Sequence, residues 1–227
     1  MFIFGLTGSI GMGKTTAASL LRRLGLPVHD ADATVHRLLA PGGRAVAAID
    51  AAFPGVVKDG GVDRQELGRR VFGNDPALKR LEAIVHPLVR AEERRFLSIM
   101  ARRRVRRVVL DIPLLFESGG TARCDAVLVV SAPAFLQRHR VLRRPGMTEE
   151  KFAAILARQL PDPIKRRRAD GIIPSGRGRA VTWRALRSLL ADWADQRGRA
   201  WPPTGPIPRS ASRKRPNSPS LLPPRSR

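Results

Sequence analysis

The apolar positions of this chain form short continuous runs separated by stretches of helical periodicity. The runs predict strands buried on both faces, and they occupy residues 1–6, 26–29, 107–111, 126–130 and 171–173. Between several of them, apolar residues recur at three- and four-residue spacing, as on helices that cover a sheet. The alternation of strand and helix predicts an α/β fold with a parallel sheet.

A longer helical stretch separates the second predicted strand from the third. It covers residues from about 33 to 104 and contains N-capping signals at Asp63, which has a glutamate three residues later, and at Asp75, which precedes a proline. We expect the helix after Asp75 to be interrupted at the His-Pro pair at 86–87, because proline lacks a backbone N–H. This pattern predicts a mostly helical lobe inserted into the sheet domain.

The C-terminal part of the chain contains two predicted basic helices and a tail. The pattern of residues 134–160 predicts a helical hairpin around a Pro-Gly-Met turn, and this hairpin resembles a mobile lid. Residues 198–227 contain eight prolines, seven basic residues and no acid, and so have too few apolar groups to offset the entropy of ordering. We therefore expect one domain over residues 1–197, followed by a disordered basic tail.

The segment from Gly8 to Thr15, Gly-Ser-Ile-Gly-Met-Gly-Lys-Thr, fits the phosphate-binding loop pattern G-x-x-x-x-G-K-[ST] and joins the first predicted strand to a helix. Its glycines allow backbone N–H groups to point at phosphate oxygens, and the positive end of the helix adds to the attraction. Lys14 is predicted to contact the β- and γ-phosphates of ATP, and the Thr15 hydroxyl to hold Mg²⁺. The predicted nucleotide-binding residues are Gly8, Ser9, Ile10, Gly11, Met12, Gly13, Lys14, Thr15 and Thr16.

Composition narrows the class of protein. The chain has 227 residues, one cysteine and no apolar run long enough for a membrane span, which argues against a disulfide framework and an integral membrane protein. Its N-terminus runs directly into the phosphate-binding loop without the pattern of a signal peptide. We therefore expect a cytoplasmic protein.

The net charge of +23 is a property of the whole chain, since only seven of the 42 basic residues follow residue 197. A basic surface suits polyanionic small molecules and attracts nucleic acid without sequence preference. The chain has no tyrosine and only eight phenylalanines for base stacking, and it lacks the Asn-Lys-x-Asp pattern of a guanine-specific switch. We predict a small-molecule partner, with no specific nucleic acid and no membrane.

Two aspartates follow predicted strands at the edge where α/β sheets bind ligands. Asp32 comes just after the second strand; alternatively it caps the next helix, a role that Asp30 could equally take. Asp111 ends a buried strand, where it could hold a Mg²⁺-bound water or polarise a substrate hydroxyl; alternatively it caps the turn before Pro113. We favour a catalytic role for both carboxylates, and Thr15 and Asp111 are the predicted metal ligands.

Arg140 and Arg144 lie four residues apart on one face of a helix in the predicted lid. Two guanidinium groups there could clamp the ATP phosphates and neutralise the charge that moves during phosphoryl transfer. The alternative is a solvated basic face, which is our interpretation of Arg138 and Arg143. The predicted catalytic residues are Lys14, Asp32, Asp111, Arg140 and Arg144.

Taken in chain order, these motifs resemble the dephospho-coenzyme A kinase family of P-loop NTPases. The phosphate-binding loop alone indicates only the wider P-loop class. Two further segments narrow this class to the family: Asp-Ala-Asp at 30–32 and Asp-Ile-Pro-Leu-Leu-Phe-Glu at 111–117. The resemblance runs from about residue 1 to about residue 195, and its other segments are 6–15, 86–88, 137–148, 158–159, Lys165 and 168–170.

The resemblance implies a three-layer P-loop kinase fold with a five-stranded parallel sheet, a helical substrate lobe and a lid. It also implies ATP-dependent phosphorylation of the ribose 3′-hydroxyl of dephospho-CoA, the final step of coenzyme A biosynthesis. Asp32 is then the group that orients this hydroxyl and accepts its proton. The other implied substrate contacts are His86, Pro113 and Leu114. We expect the enzyme to be a monomer.

The chain departs from this family around the last predicted strand, and two alternatives to the family activity stay open. Gly171 and Pro174 stand where relatives usually carry a bulky apolar residue and then Asp or Asn. Kinases of other small alcohols or nucleotides share the loop and the lid. A nucleotide-dependent switch or an RNA-binding protein is the alternative from a different class.

Overall fold

The computed structural model describes residues 1–202 of the chain. In chain order its strands are β1 (Phe2–Thr7), β2 (Val28–Asp30), β3 (Val57–Lys58), β4 (Gly61–Val62), β5 (Arg107–Asp111), β6 (Ala126–Ser131) and β7 (Gly171–Pro174). The helices are α1 (Lys14–Arg23), α2 (Ala31–Leu39), α3 (Val46–Ala52), α4 (Arg64–Val71), α5 (Asp75–Arg102), α6 (Ala134–Leu142), α7 (Glu149–Ala157), α8 (Asp162–Arg168) and α9 (Arg179–Asp192).

The central sheet has five parallel strands in the order β2-β5-β1-β6-β7. In its register Phe4 of β1 is paired with Val109 of β5 on one side and with Ala126 of β6 on the other. The strands β3 and β4 form a separate antiparallel hairpin. The predicted α/β fold with a five-stranded parallel sheet is confirmed.

Helices cover both faces of the sheet, which explains the continuous apolar runs in the sequence. Side chains alternate across a strand, so Phe4 and Leu6 of β1 lie in one apolar cluster with residues of α1 and α9. Ile3 points to the opposite face and lies in a second cluster with Leu97 and Met100 of α5. Every residue of β1 and β6 is buried.

The strand β7 begins with Gly171, at the point where the sequence departs from its family pattern. A Cβ at this position would lie 2.9 Å from a side-chain carbon of Leu128, 3.0 Å from Leu189 and 3.3 Å from Trp193. The side chains of Leu189 in α9 and Trp193 at its end therefore occupy the space of a larger residue. Glycine lets α9 pack close to the sheet.

The inserted lobe has an apolar core of its own. Leu38 of α2, Ile49 of α3, Leu67 of α4 and Val85 of α5 are buried in one cluster with Val62 of the β3–β4 hairpin. The later turns of α5 pack on the sheet. A single long helix therefore joins the lobe to the sheet domain.

Helix α5 differs from its prediction at two points. It is continuous from Asp75 to Arg102 with Pro87 in its interior, so the predicted interruption at the His-Pro pair is wrong. Pro87 and Ala83, whose carbonyl loses its helical partner, are both exposed residues. The N-cap is Asn74 and not Asp75. Neither α5 nor another helix within residues 1–202 is long and apolar enough to cross a membrane.

The first five residues of the predicted tail contact the sheet domain. The backbone N–H groups of Arg199 and Ala200 donate to Asp125 Oδ1 at 2.6 and 2.9 Å, and Trp201 packs against the apolar cluster that contains Ile3. The prediction of disorder from residue 198 is therefore wrong for residues 198–202. The rest of the predicted disordered tail, 203–227, lies outside the described residues.

Candidate active site

The carboxyl ends of β1, β2 and β5 lie side by side and bring distant motifs together. In the register Asp111 is the partner of Leu6 on one side and of Asp30 on the other. The phosphate-binding loop therefore emerges beside both predicted aspartates, at the ligand-binding edge of the sheet. A cavity of about 580 Å³ opens there. The predicted residues that line it are Gly8, Ser9, Ile10, Gly11, Gly13, Lys14, Thr15, Thr16, Asp32, Pro113, Arg140 and Arg144.

Glycine gives the phosphate-binding loop its shape. Gly11 and Gly13 have φ angles of 77° and 86°, in the left-handed region that other residues rarely adopt. A Cβ at Gly8 would lie 2.8 Å from the carbonyl oxygen of Val130, which is too close for any other residue. Met12 is buried beneath the loop, where its sulfur accepts a backbone N–H at 3.1 Å. Met12 therefore supports the loop instead of lining the cavity.

The first turn of α1 presents backbone N–H groups to the cavity. Its N-cap is Gly13, which has no side chain to accept these groups, and the first turn contains no acidic residue. The first N–H groups of a helix lack intrahelical partners, and the helix dipole places partial positive charge at the same end. The loop and this turn together form an anion-binding site.

Lys14 and Asp111 form an ion pair at the base of the cavity, with 2.7 Å between Nζ and Oδ1 and side-chain exposures of 16% and 3%. Burial raises the pKa of the Asp111 carboxyl above its usual value, while the adjacent ammonium acts in the opposite direction. An ammonium has three N–H donors, so Lys14 keeps two for a ligand. The chain that follows Asp111 is held by the Thr7 hydroxyl, which donates to the Pro113 carbonyl at 2.8 Å.

The two aspartates at the end of β2 and the start of α2 have different environments. Asp30 is the N-cap of α2, and its side chain accepts the N–H of Ala33 at 2.9 Å. Asp32 lies in the first turn of the same helix, is exposed and lines the cavity. The capping role therefore belongs to Asp30, and the Asp32 carboxylate faces the site.

The two arginines of α6 and its end differ in how they are held. Arg140 donates to a carbonyl of the phosphate-binding loop at 3.4 Å and to the carbonyl of Ser175 at 2.7 Å. Arg144 is exposed and lines the cavity, and its guanidinium forms no hydrogen bond or ion pair with other residues of the described part. Arg138 instead pairs with Glu149 within the predicted lid. Arg140 is thus oriented by the protein, and Arg144 has all its donors available.

Two predicted substrate contacts lie apart from this cavity. His86 is on the exposed side of α5, in a separate groove with Lys79 and Arg94. Leu114 is 42% exposed and is not among the residues that line the cavity. The continuous course of α5 explains the position of His86, because a helix that does not break at Pro87 keeps this side chain on its outer surface. Pro113, in contrast, lines the cavity.

Sequence reasoning missed several residues of the cavity. Ser175 follows β7, and its hydroxyl donates to the Met12 carbonyl at 2.5 Å and accepts from Arg140 at 3.2 Å. Its position after a predicted strand, at the ligand-binding edge, is a signal that could have identified it. Gln159, which follows α7, belongs to the segment 158–159 that carries the family resemblance, but it was not assigned to the cavity. The other missed lining residues are Ile155, Gly178, Arg179 and Thr182.

Anion-binding N–H groups on one wall and guanidinium groups on the other suit the transfer of a phosphoryl group, and the strand order with its loop places the protein in the class of P-loop kinases. Comparison with known proteins narrows this class. A family model described as dephospho-CoA kinase matches residues 2–178, and the chain belongs to the dephospho-CoA kinase family. This family binds a nucleotide, uses an alcohol group as acceptor and catalyses the final step of coenzyme A biosynthesis.

Individual relatives agree with this assignment. A dephospho-CoA kinase of Paramagnetospirillum magneticum is 71% identical over 166 residues, which are 73% of this chain and 78% of that protein. One of Rhodospirillum rubrum is 60% identical over 189 residues, 83% of this chain and 90% of that protein. The family resemblance seen in the sequence is confirmed.

Solved structures agree on the fold. The crystal structure of TT1252 from Thermus thermophilus has a TM-score of 0.73 and 38% identity, and the match covers 84% of this chain and 97% of that one. A dephospho-CoA kinase from Campylobacter jejuni has a TM-score of 0.57 and 26% identity, with 84% and 96% covered. The architecture described above is therefore shared with both solved structures.

Proposed function

We propose that this protein transfers the terminal phosphoryl group of ATP to the ribose 3′-hydroxyl of dephospho-CoA. The observation that carries this proposal is the meeting of Asp32, Lys14 and the two lid arginines around one cavity, in a chain of the dephospho-CoA kinase family. The division into a kinase domain over residues 1–197, with its substrate lobe at 33–104 and its lid at 134–160, is part of the proposal.

Phosphoryl transfer needs alignment and neutralisation of the transferring oxygens more than covalent help from the protein. The loop N–H groups and the first turn of α1 hold the phosphates of ATP. Lys14 approaches from the base of the cavity, and Arg140 and Arg144 approach from the lid. The loop N–H groups, Lys14 and Arg140 are held by the protein, so they stabilise the charge of the transition state without reorganisation at the moment of transfer, and Arg144 adds a charge that adapts to the ligand.

Mg²⁺ fits the oxygen groups beside the loop. The Thr15 residue is exposed and lines the cavity, and Asp111 keeps its second carboxylate oxygen clear of the ion pair with Lys14. No cluster of three or more His, Cys, Asp or Glu within residues 1–202 could hold a metal ion alone, which suits a cation bound partly through substrate phosphates. Thr15 and Asp111 would hold the Mg²⁺, which when bound would supply neutralisation of charge on the phosphate oxygens.

Asp32 is the group that we assign to the acceptor hydroxyl. It is exposed at the cavity wall and forms no ion pair within the described residues, whereas Asp111 is committed to Lys14. An unpaired carboxylate can accept the proton of the 3′-hydroxyl as that oxygen attacks phosphorus. Asp111 then orients Lys14 and leaves the proton to Asp32.

The substitution Asp32→Asn tests this assignment. It preserves shape and removes the proton acceptor, so we expect turnover with ATP and dephospho-CoA to fall ~10²–10⁴-fold with little change in acceptor KM. Asp30→Asn is the matched control, because asparagine caps a helix about as well as aspartate. Normal turnover in the Asp32 variant would transfer the role to Asp111.

Acceptor identity is tested separately. Purified protein should release ADP rapidly from ATP only when dephospho-CoA is present, and the product should carry its new phosphate on the 3′-oxygen. Equal rates with simple nucleosides or other small alcohols would contradict the proposed substrate.

We also propose that the enzyme acts as a monomer in the cytoplasm, on a small molecule and without a specific nucleic acid. One chain supplies the loop, the aspartates and the arginines of the cavity, which supports this state. Light scattering of the active protein checks it, and a stable dimer would contradict it.

A further inference from the structure

The peptide groups of Ile10, in the middle of the phosphate-binding loop, are held by two glutamine side chains from the lid. The Ile10 N–H donates to Gln159 Oε1 at 3.1 Å. The Ile10 carbonyl accepts from Gln137 Nε2 at 2.8 Å. A backbone N–H only donates and a carbonyl only accepts, so Gln159 must present its oxygen and Gln137 its amide nitrogen. Neither glutamine is among the groups that contact substrate in the function proposed above.

The two glutamines come from opposite arms of the lid. Gln137 is a residue of α6 and is only 7% exposed. Gln159 follows α7, is half-buried and lines the cavity. Both ends of the helical hairpin therefore contact the same loop residue.

A buried ion pair fixes the backbone that carries Gln159. The next residue, Leu160, donates its N–H to Glu117 Oε1 at 2.8 Å. The same carboxylate oxygen lies 2.9 Å from the ammonium of Lys165, whose side chain is completely buried. Leu160 is thus attached to Glu117 in the loop after β5. Because its backbone is held, the adjacent Gln159 is directed at Ile10.

Because the peptide group is planar, the contacts to Ile10 also fix the direction of N–H groups that face the anion site. In a trans peptide the C=O and the following N–H point in opposite directions. Gln137 holds the Ile10 carbonyl, so it also sets the direction of the Gly11 N–H, and Gly11 lines the cavity. Gln159 does the same for the peptide between Ser9 and Ile10, whose carbonyl accepts the N–H of Met12 at 3.1 Å.

We propose that Gln137 and Gln159 are positioning residues that couple the lid to the phosphate-binding loop and so set its affinity for the phosphates of ATP. The inference rests on the proposed function only in taking ATP as the donor. The loop keeps its anion-binding form while both arms of the lid hold Ile10, and loss of either contact frees a peptide that must then be ordered by the nucleotide itself.

The substitutions Gln137→Met and Gln159→Met test this, because methionine keeps the length of the side chain and removes the hydrogen bond. We expect each to weaken ATP binding and to raise the KM for ATP ~10-fold, about the worth of one hydrogen bond. The KM for dephospho-CoA and the melting temperature should change little. Gln65→Met, on the exposed surface of α4, is the matched control.

Direct titration with ADP, in the absence of acceptor, separates this inference from the proposed function. A loss of ADP affinity supports the glutamine role even if dephospho-CoA turns out not to be the acceptor. The double variant should lose less than the product of the two single effects, because both contacts order one residue. Unchanged nucleotide affinity in both variants overturns the proposal, as does an equal loss of affinity for both substrates with a fall in melting temperature. If Gln137→Met does not fold, the half-exposed Gln159 decides the outcome.

Discussion

The two walls of the cavity are built differently. The sheet side, residues 8–15 with the ends of β1 and β5, is shaped by buried strands and by glycines that no other residue could replace without strain or collision. The lid side, residues 134–159, carries exposed groups such as Phe135, at 71%, and Arg144, and touches the loop through a few polar side chains. Burial and glycine geometry shape the first wall, whereas the second combines hydrogen bonds to the loop with a smaller buried contact from Val141, which packs on Gly11.

The charges of the two walls differ in the same way. On the sheet side the Lys14 ammonium is matched by the buried Asp111 carboxylate, so the pair is nearly neutral before a ligand arrives. On the lid side Arg144 is unmatched among residues 1–202. A paired, buried charge positions chemistry, whereas an unpaired, solvated charge attracts a ligand and adapts to it. This contrast predicts different responses to mutation.

The largest effect is expected from Lys14→Ala on the sheet side. Removal of an electrostatic donor aimed at the transferring group should lower turnover ~10³-fold or more. The fold should survive, because the Asp111 carboxyl has a raised pKa and can take up a proton when its partner is gone. Kinetics and thermal melting together check this, with exposed Lys79→Ala as control. Near-normal turnover with a large fall in melting temperature would assign Lys14 a structural role and remove the contrast between the walls.

A smaller effect is expected from the lid arginines, and the pair sharpens the comparison. Arg144→Ala should reduce kcat/KM ~10–100-fold without a change in melting temperature, because its guanidinium contacts only ligand. Arg140→Ala should reduce both kcat/KM and the melting temperature, since the carbonyl of Ser175 loses its donor. Arg143→Ala is the control on the same helix end. If Arg144→Ala is silent, the lid contributes through Arg140 alone.

The smallest expected effect is on the pH dependence of stability, and it comes from His29, which lies in β2 of the sheet. It is 5% exposed and packs on Phe96 with ring centroids 5.4 Å apart. Burial lowers the pKa of this imidazole, although Glu93 acts in the opposite direction. The unfolded chain therefore binds a proton near pH 6.5 that the folded protein does not bind. The contribution of neutral His29 to the free energy of unfolding is present above pH 6.5 and is lost as the pH falls below it.

Melting temperatures between pH 7.5 and pH 5.5 check the prediction. The wild type should lose stability over this interval, and His29→Leu should lose less. The exposed His139 on the lid side provides the control His139→Leu, which should follow the wild type. A steeper loss in the His29 variant than in the wild type would show that the imidazole is protonated in the folded state.

Much of the fold was predictable because its signals are local. The strands of the sheet, the start of α1 and the capping role of Asp63 follow from apolar runs, glycine spacing and a capping residue, and each is observed. The hairpin β3–β4 and the short helices α3 and α8 were not predicted, since segments of two to seven residues carry too little periodicity. The break predicted at Pro87 did not occur: the proline removes one backbone hydrogen bond at an exposed position, and the helix continues through it.

The candidate site likewise contains residues whose position could be predicted from the sequence and residues whose position could not. Residues 8–16, Asp32 and Asp111 stand next to strand ends in the sequence, so their position at the sheet edge could be inferred. The groups missed, Gln159 and Ser175, act across long stretches of chain: Gln159 contacts a residue 149 positions away, and Ser175 one that is 163 positions away. The position of Ser175 after a predicted strand and the place of Gln159 in a segment of the resemblance are local signals, but neither identifies the distant residue that each contacts.

The sequence by itself determined that this protein has a phosphate-binding loop between a buried strand and a helix, because left-handed glycines and an apolar run act on their immediate neighbours. Only the tertiary structure decided which polar groups meet: that Asp30 caps and Asp32 faces the cavity, and that Lys14 pairs with Asp111 across 97 residues. The reason is physical, since a hydrogen bond between distant residues depends on strand register and helix packing, which the whole core sets at once.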